Sequence, residues 1–433
     1  MRPELVELMS CPRCGQGSLG LHDAQVETVV YSSAQRSEVR TGRLVCRVCG
    51  GTLPIENYVL SFLDLLPAGI RQDGEYWGRY YRWFLDQGCY GFLDLRRAPC
   101  PFLPQGVTET IPFDGAERGG IHAELADHPL IRASRRVLDI GCGTGWTSLY
   151  LARRGFDVVA IDPSLECLQI AKRYAIEQGV FVEYIATAPG YVRFRPETFD
   201  TVFSFHALHH VPDLRVRMAE IRNLLRPGGC IALDEHVQSS QLAGVFREAL
   251  MRWAEAEVLP SYRTTPSVSS TLPVGASAHE DLGQGEILPA IERTFHIRHI
   301  AFRYVFLDIF GDLYYLRSGR NAQGTQHARE TIAILNRVLL EAFPQGAEYV
   351  TLIGQKLPEL PAVPQPGLED VYTRYGILFK PRPVIPRQGL AHWLALPRQA
   401  WYVAWHRGLA ALGSEIRSYI RWRSQILRRA KPD

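Results

Sequence analysis

The feature that most constrains the fold of this chain is a glycine-rich turn after a short apolar run. Residues 137–145 read Val-Leu-Asp-Ile-Gly-Cys-Gly-Thr-Gly, and a helix-like run begins at Trp146. A strand that stops at a glycine turn and restarts as a helix lets the backbone approach a ligand closely. A second apolar run ends in Asp162, where a carboxylate can hold a ribose diol between strand ends. This order predicts an α/β fold with a nucleoside site.

The spacing of the glycines distinguishes two kinds of nucleotide site. A dinucleotide site has the pattern G-x-G-x-x-G and faces a pyrophosphate. This chain has G-x-G-x-G, preceded by the carboxylate of Asp139, which repels phosphate and attracts an ammonium group. The pattern resembles the class I S-adenosylmethionine (SAM) methyltransferases, whose ligand carries an ammonium and a sulfonium. An ordinary glycine turn is the alternative.

Three further segments carry the same resemblance in the same order. Residues 199–206 resemble the fourth strand of that family, residues 207–213 its following loop and helix start, and residues 225–233 the turn into its fifth strand. The closest subgroup is the one called methyltransferase type 11. The resemblance implies a Rossmann-like seven-stranded class I methyltransferase fold, in which alternating strands and helices build a parallel sheet covered on both faces.

The resemblance also implies which residues bind SAM. Asp139 and the glycines would line its methionine part, and Asp162 would accept hydrogen bonds from both ribose hydroxyls. Thr187 stands where the family often has an acidic residue facing the adenine amino group. The full predicted set is Asp139, Gly141, Cys142, Gly143, Gly145, Asp162, Thr187, Ser204 and Phe205.

Methyl transfer from a sulfonium needs alignment first, and a base only when the acceptor must lose a proton. His206 is the first candidate because it follows the fourth strand, beside the expected position of the methyl group. His209 and His210 are the other predicted catalytic residues, although both match a family pattern that equally suits a structural role at a helix entry. Further candidates follow the fifth strand: Asp234, Glu235 and His236.

Two Cys-x-x-Cys pairs near the start of the chain predict a second ligand. They are formed by Cys11, Cys14, Cys46 and Cys49, and a glycine follows each pair. Paired knuckles of this kind are typical of a closed, structural zinc site with four thiolates. The surrounding sequence resembles the zinc ribbon of the small activator subunit of tRNA and ribosomal methyltransferases. Disulfide bonds are the alternative, but no secretory signal precedes the first pair, and the nine cysteines fit a reducing cytosol.

These patterns divide the chain into four predicted regions. They are a zinc ribbon (1–66), an aromatic-rich linker or lid (67–133), a SAM-dependent methyltransferase domain (134–357) and a Pro-rich linker with a basic amphipathic helical tail (358–433). Insertions at 237–290 and 308–345 are expected on the acceptor side, because loops over strand ends build substrate pockets in such sheets. Two apolar runs, 295–306 and 348–354, predict an antiparallel pair of edge strands.

The sequence of the tail is compatible with two binding partners, a membrane surface or the rest of the protein. From Trp401 its apolar residues follow helical spacing with arginines between them, and residues 400–430 therefore fit either an anionic membrane surface or a face of the protein itself. No apolar run reaches the ~20 residues that span a bilayer. We expect a cytoplasmic protein, with peripheral contact to the inner face of the membrane as the open alternative.

Three functions are compatible with these residues. The first is methylation of oxygen or carbon in a small molecule, a sugar or a lipid-linked glycan. The second is methylation of rRNA or tRNA, with the ribbon and its Arg13, Arg43 and Arg47 binding RNA, although the regions before the tail have no basic excess. The third is a non-catalytic scaffold that binds SAM, because binding residues alone do not establish turnover.

Overall fold

The architecture is taken from a computed structural model that describes residues 1–32, 34–86, 124–237, 286–303, 334–335, 338–339 and 347–361. Residues 1–378 form one compact unit, to which all described elements belong, and residues 379–433 form a second. Most of the two predicted insertions and nearly all of the predicted tail lie outside the described residues, so the predictions made for them stay predictions.

The described elements alternate between strands and helices after an all-β start. The strands are β1 (Leu19–Val30), β2 (Gln35–Cys46), β3 (Thr52–Glu56), β4 (Val59–Ser61), β5 (Arg136–Ile140), β6 (Asp157–Asp162), β7 (Glu183–Ala186), β8 (Phe199–Phe205), β9 (Leu225–His236), β10 (His296–Arg303) and β11 (Tyr349–Gln355). The α-helices are α1 (Ala68–Asp86), α2 (Trp146–Arg153), α3 (Leu165–Glu177), α4 (Leu214–Leu224) and α5 (Ile287–Thr294). Short 3₁₀ turns lie at Pro3–Leu8, Leu63–Leu65 and Leu208–His210.

All the described strands belong to one sheet, in the order β1-β2-β3-β4-β7-β6-β5-β8-β9-β11-β10. Strands β7, β6, β5, β8 and β9 are parallel, whereas β11 pairs antiparallel with β9 on one side and with the edge strand β10 on the other. The predicted seven-stranded Rossmann-like fold and its antiparallel edge pair are therefore confirmed. The strand order reverses between β5 and β8, which is where open α/β sheets bind ligands at the carboxyl ends of their strands.

The central strands read as unbroken apolar runs because both faces of the sheet are covered. Val137 and Leu138 in β5 and Val158 and Val159 in β6 are at most 1% exposed. Helix α3 begins immediately after β6, and the side chain of its N-cap residue Ser164 accepts a hydrogen bond from the Cys167 N–H. The strand, the turn and the helix start are thus fixed together at the predicted nucleoside site.

The N-terminal strands extend this sheet, an arrangement that the sequence did not predict. Strand β4 pairs in parallel with β7, with Leu60 opposite Ile185. Farther along, the Ser10 N–H donates to the Arg193 carbonyl at 2.8 Å. Backbone hydrogen bonds therefore run without a break from the strand that contains Cys46 into the parallel strands of the predicted methyltransferase region.

A buried ion pair makes a second connection between these regions. The ammonium group of Lys172 in α3 lies 2.5 Å from Oε2 of Glu38 in β2 and 3.0 Å from the Tyr31 hydroxyl. Lys172 is 3% exposed and Glu38 is fully buried. The Met1 ammonium group also lies 3.2 Å from Oε2 of Glu38. Because buried charges must be paired, this cluster holds α3 against the N-terminal hairpin.

Candidate cofactor and catalytic site

Two buried carboxylates meet at the carboxyl ends of β5 and β6. Asp139 accepts a hydrogen bond from the Ser148 hydroxyl at 2.5 Å. Asp162 accepts from the N–H groups of Gly143 at 2.9 Å and Ser164 at 2.8 Å, so its carboxylate links the glycine turn to the start of α3. The structure brings together these predicted cofactor residues, which are 23 positions apart in the sequence.

Both carboxylates are easier to protonate than exposed ones. Burial, reinforced by the nearby charge of Asp162, raises the pKa of Asp139 to about 7. Burial also raises the pKa of Asp162 to about 6, although two backbone N–H groups oppose the shift. A cation or a pair of hydroxyl donors would offset the lost hydration of these carboxylates, and SAM carries both an ammonium group and a ribose diol.

The three glycines of the turn have different surroundings. A Cβ at Gly141 would stand 2.2 Å from the Cβ of Ala207, and one at Gly145 would stand 2.6 Å from the Tyr184 hydroxyl. Both positions are therefore packed against protein. A Cβ at Gly143 would meet only Tyr81 Cε2 within 4 Å among the described residues, at 3.9 Å. Gly143 is thus the place where the turn has room for a ligand.

The remaining predicted cofactor residues lie at the same edge of the sheet and are mostly bonded to protein. The Thr187 N–H donates to the Asp162 carbonyl at 2.9 Å, and its buried hydroxyl donates to the Ala188 carbonyl at 3.5 Å. Ser204 is buried and donates to Glu235 at 3.2 Å. Cys142 is buried, and its N–H donates to the Ile161 carbonyl. Phe205, at the end of β8, packs beside Phe203.

His206 forms a pair with a carboxylate, the arrangement expected of a general base. Its Nε2 lies 3.0 Å from Oδ2 of Asp234, and the other carboxylate oxygen accepts from the Thr351 hydroxyl at 3.0 Å. Asp234 is 2% exposed, whereas the His206 side chain is 27% exposed. A buried carboxylate thus orients an accessible imidazole, whose ring lies 5.0 Å from that of Tyr349.

His209 is held in a different kind of environment. Its Nδ1 lies 2.9 Å from Oε2 of Glu235. The other oxygen of that carboxylate, Oε1, accepts hydrogen bonds from the Ser204 hydroxyl and from the backbone N–H groups of Ala207 and Leu208. Burial raises the pKa of Glu235, but the hydrogen bond from His209 and these N–H groups outweigh it, so the net shift is downward. Glu235 therefore organises the loop after β8, and this geometry favours a structural role for His209. The ring of His210 lies 4.0 Å from that of His209.

The four predicted metal ligands lie together in the N-terminal region. Their sulfur atoms are all within 4.8 Å of one another. The Sγ atoms of Cys11 and Cys49 are 3.7 Å apart, and those of Cys14 and Cys46 are 3.6 Å apart. Thiolates about 2.3 Å from a tetrahedral zinc ion are about 3.8 Å apart, so these residues fit such an ion. Backbone N–H groups of Cys49 and Val48 lower the pKa of Cys46 to about 6, which favours the thiolate that a metal requires.

Comparison with known proteins identifies the central part of the sheet. Residues 138–233 match the family model described as "Methyltransferase domain". The chain therefore contains a class I methyltransferase domain. The match runs from β5 to β9 and includes the glycine turn, Asp162 and the histidines after β8.

Curated relatives match about a third of the chain or less. The ubiquinone biosynthesis O-methyltransferase of Rhizobium etli is 37% identical over 121 residues, which are 27% of this chain and 49% of that protein. The protein of the same name from Rhizobium johnstonii is 35% identical over 149 residues, which are 32% of this chain and 60% of that protein. The chain thus spans between half and three fifths of the length of these relatives.

Solved structures resemble the chain more distantly. A phospholethanolamine N-methyltransferase 2 from Haemonchus contortus, in complex with phosphomonomethylethanolamine and S-adenosylhomocysteine, is 16% identical with a TM-score of 0.42, covering 80% of this chain and 70% of that one. The [4+2]-cyclase SpnF is 17% identical with the same TM-score, covering 66% of this chain and 96% of that one.

No helix among the described residues of this chain is both long and apolar enough to cross a membrane.

Two features of the site were not predicted from the sequence. One is the convergence of four hydrogen bonds on Glu235, which the sequence suggests only as a candidate base. The other is the contact of helix α1 with the loop after β8, where the Trp77 ring lies 5.7 Å from that of His210. The aromatic composition of residues 67–133 predicts a segment that packs on the main domain or covers the substrate, but not which residues it contacts.

Proposed function

We propose that this chain transfers the methyl group of SAM to a hydroxyl oxygen of a small-molecule acceptor. The observation that carries the proposal is the His206–Asp234 pair, an oriented imidazole at the strand edge that also holds Asp139, Gly143 and Asp162. The name of the curated relatives, O-methyltransferase, favours oxygen over carbon as the atom that is methylated.

One set of residues in the site would bind SAM, and another would act on the acceptor. Asp139 would attract the ammonium group of SAM, Asp162 would accept hydrogen bonds from the ribose hydroxyls, and Gly143 leaves the backbone accessible beside them. Thr187, at the same edge of the sheet, would face the adenine of SAM. When bound, SAM supplies a methyl group already activated by the sulfonium, so the main task of the chain is alignment and exclusion of water, worth up to about 7–11 kcal/mol.

His206 would remove the proton from the acceptor. Because its Nε2 faces the Asp234 carboxylate, the neutral ring carries its hydrogen there and keeps the Nδ1 lone pair for the acceptor O–H. The acceptor oxygen then forms the new bond to the methyl carbon as the carbon–sulfur bond breaks. Such a base suits hydroxyls of moderate acidity, such as phenols with a pKa of about 10.

We also propose that Cys11, Cys14, Cys46 and Cys49 hold one structural zinc ion. The support is the closeness of the four sulfur atoms, which all lie within 4.8 Å of one another. Four thiolates complete a tetrahedral shell and leave no position for a substrate, so the ion would stabilise the fold and take no part in methyl transfer.

The proposal is tested with methyl-labelled SAM and the purified full-length chain. Phenols, sugars and lipid-linked glycans are offered singly, and cell extract is offered with and without ribonuclease or prior lipid extraction. Label in a small molecule that is lost in the variant His206→Ala supports the proposal. Label that disappears with ribonuclease would instead identify an RNA methyltransferase. Binding of S-adenosylhomocysteine (SAH) without labelling of any fraction would favour a scaffold.

A further inference from the structure

Helix α1 presents one buried stripe, and its composition is unusual. At helical spacing the stripe contains Ile70, Asp73, Gly74 and Gly78, all of them buried, and it continues to Tyr81. Two glycines four positions apart weaken a helix, because the glycine backbone loses more conformational entropy on folding than that of any other residue. They also allow its backbone to approach a neighbouring segment more closely than any other residue allows.

That neighbouring segment is the start of α3, immediately after Asp162. A Cβ on Gly74 would lie 2.4 Å from the Pro163 carbonyl oxygen, and one on Gly78 would lie 2.8 Å from the Ser164 hydroxyl. One turn later, Nε of Arg82 donates to Oε1 of Glu166 at 2.7 Å. The helix is therefore fixed against the same turn that holds the Asp162 carboxylate.

This docking carries two aromatic side chains of α1 to the methyltransferase site. Apart from the two residues adjacent in sequence, Tyr81 is the only described residue within 4 Å of a Cβ placed on Gly143, the glycine with room for a ligand. Trp77, one turn earlier on the same side, has its ring centroid 5.7 Å from that of His210. Helix α1 thus passes from the glycine turn to the loop that carries the histidines.

We propose that helix α1 forms one wall of the SAM site, with Tyr81 as a cofactor-binding residue whose position is set by Gly74 and Gly78. The inference rests on the proposed function, since it requires that SAM binds beside Gly143. The ring of Tyr81 offers apolar surface to the methionine chain, and aromatic faces also attract cationic groups of the kind that SAM carries.

The test measures binding of SAH to the full-length chain by calorimetry. We expect Tyr81→Ala to weaken the dissociation constant tenfold or more and Tyr81→Phe to stay within threefold of wild type, because the ring makes the contact. Gly74→Ala should also weaken binding tenfold or more, since a methyl group beside the Pro163 carbonyl displaces the helix. Tyr76→Ala is the matched control, because Tyr76 lies outside the stripe, and it should bind SAH within twofold of wild type.

Hydrogen exchange gives a second measurement that does not depend on turnover. SAH should slow exchange in residues 68–82 of the wild type, and this protection should be lost in Tyr81→Ala. Undiminished SAH binding by Tyr81→Ala would overturn the inference while leaving the proposed function standing. Absence of SAH binding by the wild type would overturn both. If Gly74→Ala does not fold, the Tyr81 variants still decide.

Discussion

Nε2 of His206 lies 3.0 Å from Oδ2 of Asp234, and Thr351 donates a hydrogen bond to the other oxygen of the same carboxylate. His206 is the first residue after β8, Asp234 lies near the end of the adjacent parallel strand β9, and Thr351 comes from the antiparallel strand β11 next to them. Two neighbouring strands therefore fix the carboxylate that orients the imidazole.

This arrangement predicts that Asp234→Asn lowers kcat by about 10²-fold or more, because a positioned base contributes on that scale and an amide can hold the wrong tautomer of the imidazole. Thr351→Val should cost less, about tenfold. SAH binding should remain within twofold of wild type in both variants. Steady-state assays with a phenolic acceptor check the prediction, and a kcat of Asp234→Asn within threefold of wild type would contradict it.

The glycine turn predicts opposite phenotypes for two neighbouring substitutions. Gly143→Ala should weaken SAH binding at least tenfold at a stability cost of about 1–2 kcal/mol, since φ is +52° but the surroundings are open. Gly145→Ala should mainly lower stability, because its methyl group overlaps the Tyr184 hydroxyl and the Cβ of Ala171. Urea unfolding and calorimetry on both variants separate the two effects. Equal loss of affinity and stability in both would refute the distinction.

The buried Asp139 predicts how the stability of the ligand-free chain depends on pH. Its pKa is about 7 in the native state, compared with 3.8 as the ordinary value. Between these values the native state binds more protons than the unfolded state, so the free energy of unfolding falls as pH rises, by about 4 kcal/mol from this group. The variant Asp139→Asn should therefore lose less stability than wild type between pH 4 and pH 8 in urea unfolding. An unchanged pH dependence would mean that Asp139 ionises normally.

The cysteine cluster predicts one zinc ion per chain and a stability that depends on it. Because β4 joins the N-terminal strands to β7, loss of the metal should lower the midpoint of a single cooperative unfolding transition. We expect Cys49→Ala to lose the zinc and to unfold at a lower temperature, whereas Cys230→Ala, a buried cysteine outside the cluster, should retain the metal. Elemental analysis and calorimetric scans check this. A metal-free chain that remains folded in chelator with an unchanged midpoint would exclude a structural zinc ion.

The parts of the fold predicted correctly are those that local sequence determines. The apolar runs of β5 and β6, the glycine turn and the spacing to Asp162 are short-range patterns, and they suffice to predict a parallel sheet with a ligand at its edge. The two Cys-x-x-Cys pairs are also short-range sequence patterns. The division into four regions, and the roles of the cofactor and catalytic residues, stay predictions.

What sequence reasoning missed depends on long-range pairing. Nothing in residues 59–61 indicates that they pair with residues 183–186, because register between distant strands is set by the whole core. In the sequence, Asp234 and Glu235 are equally good candidates for a base. In the structure, Glu235 is enclosed by donors from the loop after β8, whereas Asp234 is paired with His206. The two glycines of α1 carry no local signal of the close approach to Pro163 and Ser164 that they permit.

The pairing of β4 with β7 has a practical consequence for anyone who isolates the catalytic half. Removing the first sixty-odd residues would leave the backbone N–H and C=O groups on the β4 side of β7 without partners, and such an exposed edge recruits strands from other molecules. The cysteine-bearing segment thus covers this edge of the sheet, and a chain shortened to begin just after β4 should precipitate rather than turn over.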